Sequence, residues 1–352
     1  RRSSDLARLK AVVAKFGGNE VSHLGLMRDK SLHFYQVDGE DRVFFLFKKK
    51  ADKLIVMGEP VGDETQIPAA IADFMKQADD QDMSLVFYEI NESLTMKLHE
   101  FGFDFMKFGE EGYVDVTTFT LAGTKRKGER ALMHKFEREG YSVELLKPPF
   151  DDALLDDLQT VSDSWLDGRS EKGFSLGFFD RHYLNQAPIA VVRAPDGKIV
   201  AFATDMPTGN NEVTSIDLMR SSADAPSGIM DEVFIHLFEL AKDRGFKYFN
   251  MGMAPLANVG TSSYSFIEEK IAHLVYEYGY RFYGFQGLRS YKNKYVTEWV
   301  PKYVAYRKRT SLLFTLLQIM MVVNQKVTFA TPNKWWPKRL AWVSRLGQGI
   351  DK

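Results

Sequence analysis

Residues 216–255, IDLMRSSADAPSGIMDEVFIHLFELAKDRGFKYFNMGMAP, constrain the fold of this chain more than any other segment. The run reads as a strand, a polar loop, a helix, a second strand and a turn of small residues. This order belongs to an open α/β sheet, in which ligands bind just beyond the carboxyl ends of the strands. The polar residues fall at those ends. Asp217 and Arg220 follow the first strand and Asn250 follows the second. A site is expected there.

The same order occurs twice. In the first half, strands are expected at 32–37, 43–47, 54–57, 84–90 and 103–108, with helices at 65–77 and 93–101. In the second, strands are expected at 189–193, 199–205, 213–218, 247–250 and 281–285, with helices at 228–244 and 264–278. EFGFDFMKFG at 100–109 echoes EYGYRFYGFQG at 277–287. The pattern predicts a duplicated α/β domain, against the alternative of two unrelated α/β units. At 352 residues the chain is long enough for two cores.

Charge is unevenly placed. From 299 to 350 there are nine Lys and Arg and no Asp or Glu, although the whole chain carries a net charge of −1. A basic tail on an acidic body points to an anionic partner, lipid or nucleic acid. Within the tail, 311–323 is strongly apolar but shorter than the roughly 20 residues of a bilayer span. Trp335, Trp336 and Trp342 then alternate with Lys and Arg, as at a membrane interface; a helix packed on the body is the alternative. Between the halves, 124–140 is expected as a helix with Leu132, Met133 and Phe136 inward. Its cations Lys125, Arg126, Lys127, Arg130, Lys135 and Arg138 read either as a solvated, charge-paired face or as contacts to a phosphate backbone.

Several chemistries lack their signatures. There is no cysteine, which excludes disulfides and thiolate metal sites, and the seven His show no metal-binding spacing. No P-loop or GxGxxG motif is present. The chain begins at Arg1 rather than Met and shows no signal-peptide pattern, as expected of a piece of a longer protein.

The runs FTLAGTKRKGERALMHKFEREGY, EKGFSLGFFD, DLMRSSADAPSGIMD, FNMGMAPL and GFQGLRSYKNKYVTEWVPKYVAY cover most of 119–306. They resemble the catalytic domain of the phosphatidylglycerol lysyltransferases, the multiple peptide resistance factors. The resemblance implies two GNAT-type (N-acetyltransferase-like) folds in tandem: 1–118, a basic linker helix at 119–141, a catalytic unit at 142–306 and a basic, Trp-rich, membrane-facing tail at 307–352. It implies an aminoacyl-tRNA donor, lysyl-tRNA, and the glycerol hydroxyl of phosphatidylglycerol as acceptor. The product makes the membrane less anionic and confers resistance to cationic antimicrobial peptides. It also implies a transmembrane region ahead of this segment and a place on the cytoplasmic face of a bacterial membrane. No metal or redox cofactor is called for. The loop RSSADAPSG has one Gly where coenzyme A-dependent members of the fold carry a glycine-rich pyrophosphate cradle, which argues against coenzyme A.

Asp217, Arg220 and Lys292 match functional positions of that family. Asp217 is expected to bind a substrate ammonium or to orient Arg220. Arg220 is expected to hold a phosphate or the oxyanion, and Lys292 or Arg289 to neutralise phosphate. Asn250 and the amides of Met251 and Gly252 are expected where the strands splay, the amides as oxyanion donors. Phe174 and Ser175 are expected to line the aminoacyl pocket, with Asp231 and Glu298 as further candidates. No residue stands out as general base. An alanyl-transferring enzyme, a Fem-like peptidoglycan aminoacyltransferase and a catalytically dead binding module remain alternatives.

Overall fold

A computed structural model describes residues 2–255, 260, 262–265, 269, 288–323 and 325. Helix α1 (Arg2–Phe16) leads into β1 (Ser31–Val37), β2 (Glu40–Lys50), β3 (Lys53–Met57) and the short β4 (Val61–Gly62). Then come α2 (Ile67–Asp79), β5 (Ser84–Ile90), α3 (Glu92–Glu100) and β6 (Phe103–Asp115). After α4 (Lys127–Arg138), the second half runs β7 (Ser142–Leu146), α5 (Asp152–Leu166), α6 (Arg181–Leu184), β8 (Ile189–Arg193), β9 (Ile199–Pro207) and β10 (Val213–Ser221). It continues through α7 (Ile229–Asp243), β11 (Tyr248–Pro255), α8 (Leu288–Lys292), β12 (Glu298–Arg307) and α9 (Leu312–Val323). The helix expected at 264–278 and the strand expected at 281–285 lie outside the described residues, as do the three Trp of the tail.

Local chemistry accounts for the elements. The β2 run VFFLF is buried on both faces. Val43, Phe45 and Phe47 meet Phe74 of α2 and Phe87 of β5 on one side. Phe44 and Leu46 meet α1 on the other, as the two-residue period of a strand requires. In α7, Val233, Leu237 and Ala241 recur at helical spacing on the buried face, and Asp231 and Glu232 sit in the first turn, where the helix dipole favours negative charge. One core cluster joins the halves. It contains Leu9 and Tyr88 from the first, Leu158, Phe174 and Phe202 from the second, and Ile319 of α9.

The strands form one 12-stranded sheet in the order β1-β2-β3-β5-β12-β6-β11-β10-β9-β8-β7, with β4 on β2. Each half holds one parallel pair bridged by a helix: β3 with β5 across α2, and β10 with β11 across α7. The halves then exchange partners. β12 lies between β5 and β6, and β6 pairs along its other edge with β11.

The parallel β10–β11 pairing lasts only from Val213↔Tyr248 to Ser215↔Asn250, although both strands continue. Beyond it each strand is irregular against its antiparallel neighbour, between Ile216 and Met219 in β10 and between Asn250 and Met253 in β11. Asp217, Arg220 and Asn250 therefore lie within the strands, which run on past the ends expected at 218 and 250. Bulges turn their side chains toward the gap.

Because β5 and β6 are separated by β12, residues 1–141 expressed alone should lack cooperative thermal unfolding, whereas the whole chain should unfold cooperatively. Calorimetry of the two distinguishes them. A sharp transition in the fragment would show that the first half closes its own sheet.

Candidate active site

Where β10 and β11 part, a cavity of about 470 Å³ opens between the halves. β10 supplies Asp217 and Arg220, β11 supplies Asn250, Met251 and Gly252, and α8 supplies Lys292. The segment after α5 supplies Glu171, Ser175 and Gly177. The first half closes the cavity with Glu20, His23, Tyr88, Glu89 and Glu111.

The Asp217 carboxylate accepts hydrogen bonds from the amide of Gly177, at 2.8 Å, and from the Tyr183 hydroxyl. Burial and the facing carboxylate hold the Tyr183 phenol well above the usual range, so it remains a donor. A Cβ at position 177 would collide with that carboxylate, which is why EKGFSLGFFD carries Gly there. Arg220 does not pair with Asp217. Its guanidinium grips Glu171 through two bonds of 2.5 and 2.7 Å, donates to Ser162 Oγ at 2.5 Å and lies 4.7 Å over the Trp165 ring. The expectation that Asp217 orients Arg220 is thus corrected; Glu171 does so.

Lys292 is 6% exposed. Burial lowers its ammonium to about 8, although Glu111 and Glu89 pull it back up. Glu89 is buried in the opposite sense. Desolvation and then Glu111 raise its carboxyl to about 8, and among the described residues Oε2 has no hydrogen-bond partner. Its φ of +64° is sparsely populated for a residue with a Cβ, and such backbones concentrate at functional sites. Glu111 pairs with Lys302 at 3.2 Å and accepts from Tyr113 at 2.6 Å, and Tyr113 also donates to Glu20 at 2.9 Å. Burial lowers the His23 imidazole below its ordinary 6.5, so it is neutral at neutral pH.

Several sequence expectations need correction. Phe174 is fully buried in the joint core, stacked against Tyr88 at 6.1 Å, and does not line the cavity; its amide donates to Asp29 Oδ2 at 2.6 Å. Ser175, the next residue, does line it. The Gly252 amide donates to its neighbour Asn250 Oδ1 at 2.7 Å and so is not a bare oxyanion donor. Asn250 has the role of fixing that turn, while Met251 lines the cavity.

Asp231 faces a separate hollow at the start of α7, where it accepts from Lys294 at 2.7 Å and Tyr295 at 2.5 Å. It holds the segment that carries Lys292 rather than a substrate. Arg289 is paired with Glu110 at 2.9 Å over the Trp299 ring, and Glu298 is exposed at the start of β12; neither lines the cavity. Of the linker cations, Arg126 donates to the Lys294 carbonyl at 2.8 Å, and Arg130 donates to the carbonyls of Leu121 and Gly123. Both act as local staples. Lys125, Lys127, Lys135 and Arg138 are exposed. Among the described residues no three His, Cys, Asp or Glu are grouped to hold a metal ion.

A family model described as phosphatidylglycerol lysyltransferase, C-terminal, matches residues 10–306. The phosphatidylglycerol lysyltransferase of Bacillus subtilis (strain 168) is 45% identical over 322 residues, 92% of this chain and 37% of that protein. The chain thus spans little more than a third of such relatives, 38% for the Staphylococcus haemolyticus enzyme at 40% identity. The solved structure of L-PGS from Bacillus licheniformis is 43% identical with a TM-score of 0.80, over 91% of this chain and 97% of that one. FemX, at 12% identity and a TM-score of 0.57 over 88% and 97%, shares the fold alone. The tandem GNAT-like α/β fold expected from the sequence is borne out.

Glu171→Gln should leave the buried Arg220 short of its counter-charge. Glu171 keeps 20% of its side chain exposed, so the cost should be about 2–3 kcal/mol, below the ~3–5 of a fully buried pair. A urea-unfolding midpoint unchanged from that of the parent would refute the pairing.

Proposed function

Because the chain belongs to the family of phosphatidylglycerol lysyltransferase C-terminal domains, we propose that its cavity transfers lysine from lysyl-tRNA to a glycerol hydroxyl of phosphatidylglycerol at the cytoplasmic face of a bacterial membrane. The observation that carries this reading is the joining of an oriented carboxylate, Asp217, and a buried ammonium, Lys292, in one cavity between the two halves. Asp217 holds the α-ammonium of the aminoacyl ester. Glu111 and the carboxyl of Glu89, whose Oε2 is unpartnered among the described residues, give the side-chain ammonium of lysine an acceptor site that alanine would leave empty, the incoming cation drawing Glu89 toward its charged form.

The lipid hydroxyl attacks the ester carbonyl, and its proton passes to neutral His23. Lys292 faces the developing oxyanion, where a preformed charge in a dry site is worth most. The carbonyl then re-forms and the terminal ribose oxygen of the tRNA leaves, taking the proton from His23. Arg220, tied to Glu171, positions the wall beside Asp217. Exposed Lys125, Lys127, Lys135 and Arg138 meet tRNA phosphates, so donor affinity should fall as salt rises.

The test is incubation of the chain with phosphatidylglycerol vesicles and lysyl- or alanyl-tRNA, with lipid products read by mass. Lysyl-phosphatidylglycerol should form and the alanyl product should be minor. Lys292→Met should lower kcat by on the order of 10²–10³-fold. Asp217→Asn should raise KM for lysyl-tRNA by about ten- to a hundredfold, the loss of one charge-assisted bond. Full activity in Asp217→Asn, or no transfer from lysyl-tRNA, would overturn the reading.

The pH profile should also report the two groups. The rate should rise as pH climbs through the lowered range of His23, below 6.5, because only the neutral ring accepts a proton. It should fall above about 8, as Lys292 loses its proton. Lys292→Arg should carry that alkaline limb upward, and His23→Gln should remove the acid limb. A profile untouched by either change would contradict these roles.

A further inference from the structure

Helix α9 has two apolar faces and the fold uses only one. Leu316, Ile319, Val322 and Val323 are buried in the core shared by the halves, with Thr315 beside them. The helix is tied to the body by Gln318, which donates to Asp52 Oδ1 at 3.2 Å, while the Thr315 hydroxyl donates locally to the Ser311 carbonyl at 2.9 Å. On the outer face, Leu313, Phe314, Leu317 and Met321 are 47, 66, 47 and 55% exposed. Their spacing places them on one stripe about 100° wide. They are four of the nine large apolar side chains exposed among the described residues, and no charged residue interrupts the helix.

We propose that this stripe is a docking surface for an anionic lipid bilayer, on which the domain rests with α9 in the headgroup boundary. Charge argues for lipid over protein. The turn into the helix carries Arg307, Lys308 and Arg309, of which Lys308 and Arg309 are exposed, and Lys49 is exposed on β2, the strand that α9 packs against. Of the nearby carboxylates, Asp52 is engaged with Lys53 at 2.7 Å and Asp79 with Arg307 at 3.5 Å, which leaves exposed Asp82 against the two cations Lys308 and Arg309. Cations flanking an apolar helical face are the pattern of helices that lie in the interface plane.

Size argues the same way. Four side chains on one helix fall well short of the roughly 1,200 Å² that a stable pair of proteins buries. The helix is 12 residues long, about 18 Å at the usual rise, too short to cross a hydrocarbon core of about 30 Å. Among the described residues no helix is long and apolar enough to span. The choice of phosphatidylglycerol as the lipid rests on the proposed acceptor; the docking itself does not need transfer to occur.

The experiment is flotation of the chain with vesicles of phosphatidylglycerol or of neutral phosphatidylcholine, alongside the double variants F314S/L317S and K308Q/R309Q. The parent should bind phosphatidylglycerol vesicles more tightly. F314S/L317S should bind at least tenfold more weakly while keeping the parent's melting temperature, since both residues are exposed. K308Q/R309Q should lose the preference for the anionic lipid.

Lysyl transfer to a water-dispersed short-chain phosphatidylglycerol should survive in all variants. If it fails even in the parent, the functional reading falls and the docking is judged by flotation alone. Parent-level vesicle binding by F314S/L317S, or a parent that does not float, overturns the docking. So does a dimer in sedimentation that F314S/L317S dissolves, which would assign the stripe to a second copy.

Discussion

Strand β6 is hydrogen-bonded along both edges to strands from the other half, β11 on one side and β12 on the other. The site depends on this arrangement. It sets Glu111 of β6 beside Lys302 of β12 and brings Glu89, at the end of β5, to the cavity that holds Lys292. Neither half alone would enclose that space. Early separation of β10 from β11 supplies the opening, and the bulges that follow turn Asp217 and Asn250 into it.

Burial works against charge on both Glu89 and Lys292, raising one and lowering the other toward the same pH. Lys302 is as deeply buried yet is held above the usual lysine range, because Glu111, Glu20, Glu89 and Glu59 together outweigh its desolvation. The difference separates two uses of a buried cation. Lys302 is locked into a pair at 3.2 Å and fixes the strands. Among the described residues Lys292 makes only a long 3.4 Å contact to the Met253 carbonyl, and it stays near its titration point. A left-handed Glu with an unpartnered oxygen and a loosely held Lys cost folding energy, a pattern that belongs at sites of chemistry rather than in a purely structural core.

The sequence reveals the second half of the site and conceals the first. Asp217, Arg220 and Lys292 stand in long, ordered motifs, and the small residues of EKGFSLGFFD mark a close approach that the structure explains through Gly177 and Asp217. Glu20, His23, Glu89 and Glu111 are scattered through the first half and meet the rest only through strand exchange, which no local periodicity reports. One signal was available. A carboxylate inside the apolar run SLVFYEI is costly in a buried strand unless it has a task. Gly109 and Gly112 disguised the length of β6, and Pro301 disguised β12, since both residue types normally weaken or end a strand. Strand β7 is short and only half-buried, so its pattern is weak, whereas helix α5 is legible from its Asp151 cap and from Leu155, Leu158 and Val161 on its buried face.

The start of α7 shows how a helix end can be closed to a phosphate. A helix N-terminus at the mouth of a splayed strand pair is a ready seat for a pyrophosphate, because its amides point outward and its dipole is positive. Here the first turn of α7 presents Asp231 to the hollow of about 730 Å³ at that end. A phosphate entering it would meet a carboxylate. That carboxylate is occupied in another way, gathering Lys294 and the hydroxyls of Tyr291 and Tyr295. Those residues flank Lys292 in sequence, so the helix end that could have held a cofactor instead fixes the ammonium of the cavity. On this geometry Asp231 both closes the helix end to a phosphate and anchors the segment that carries Lys292.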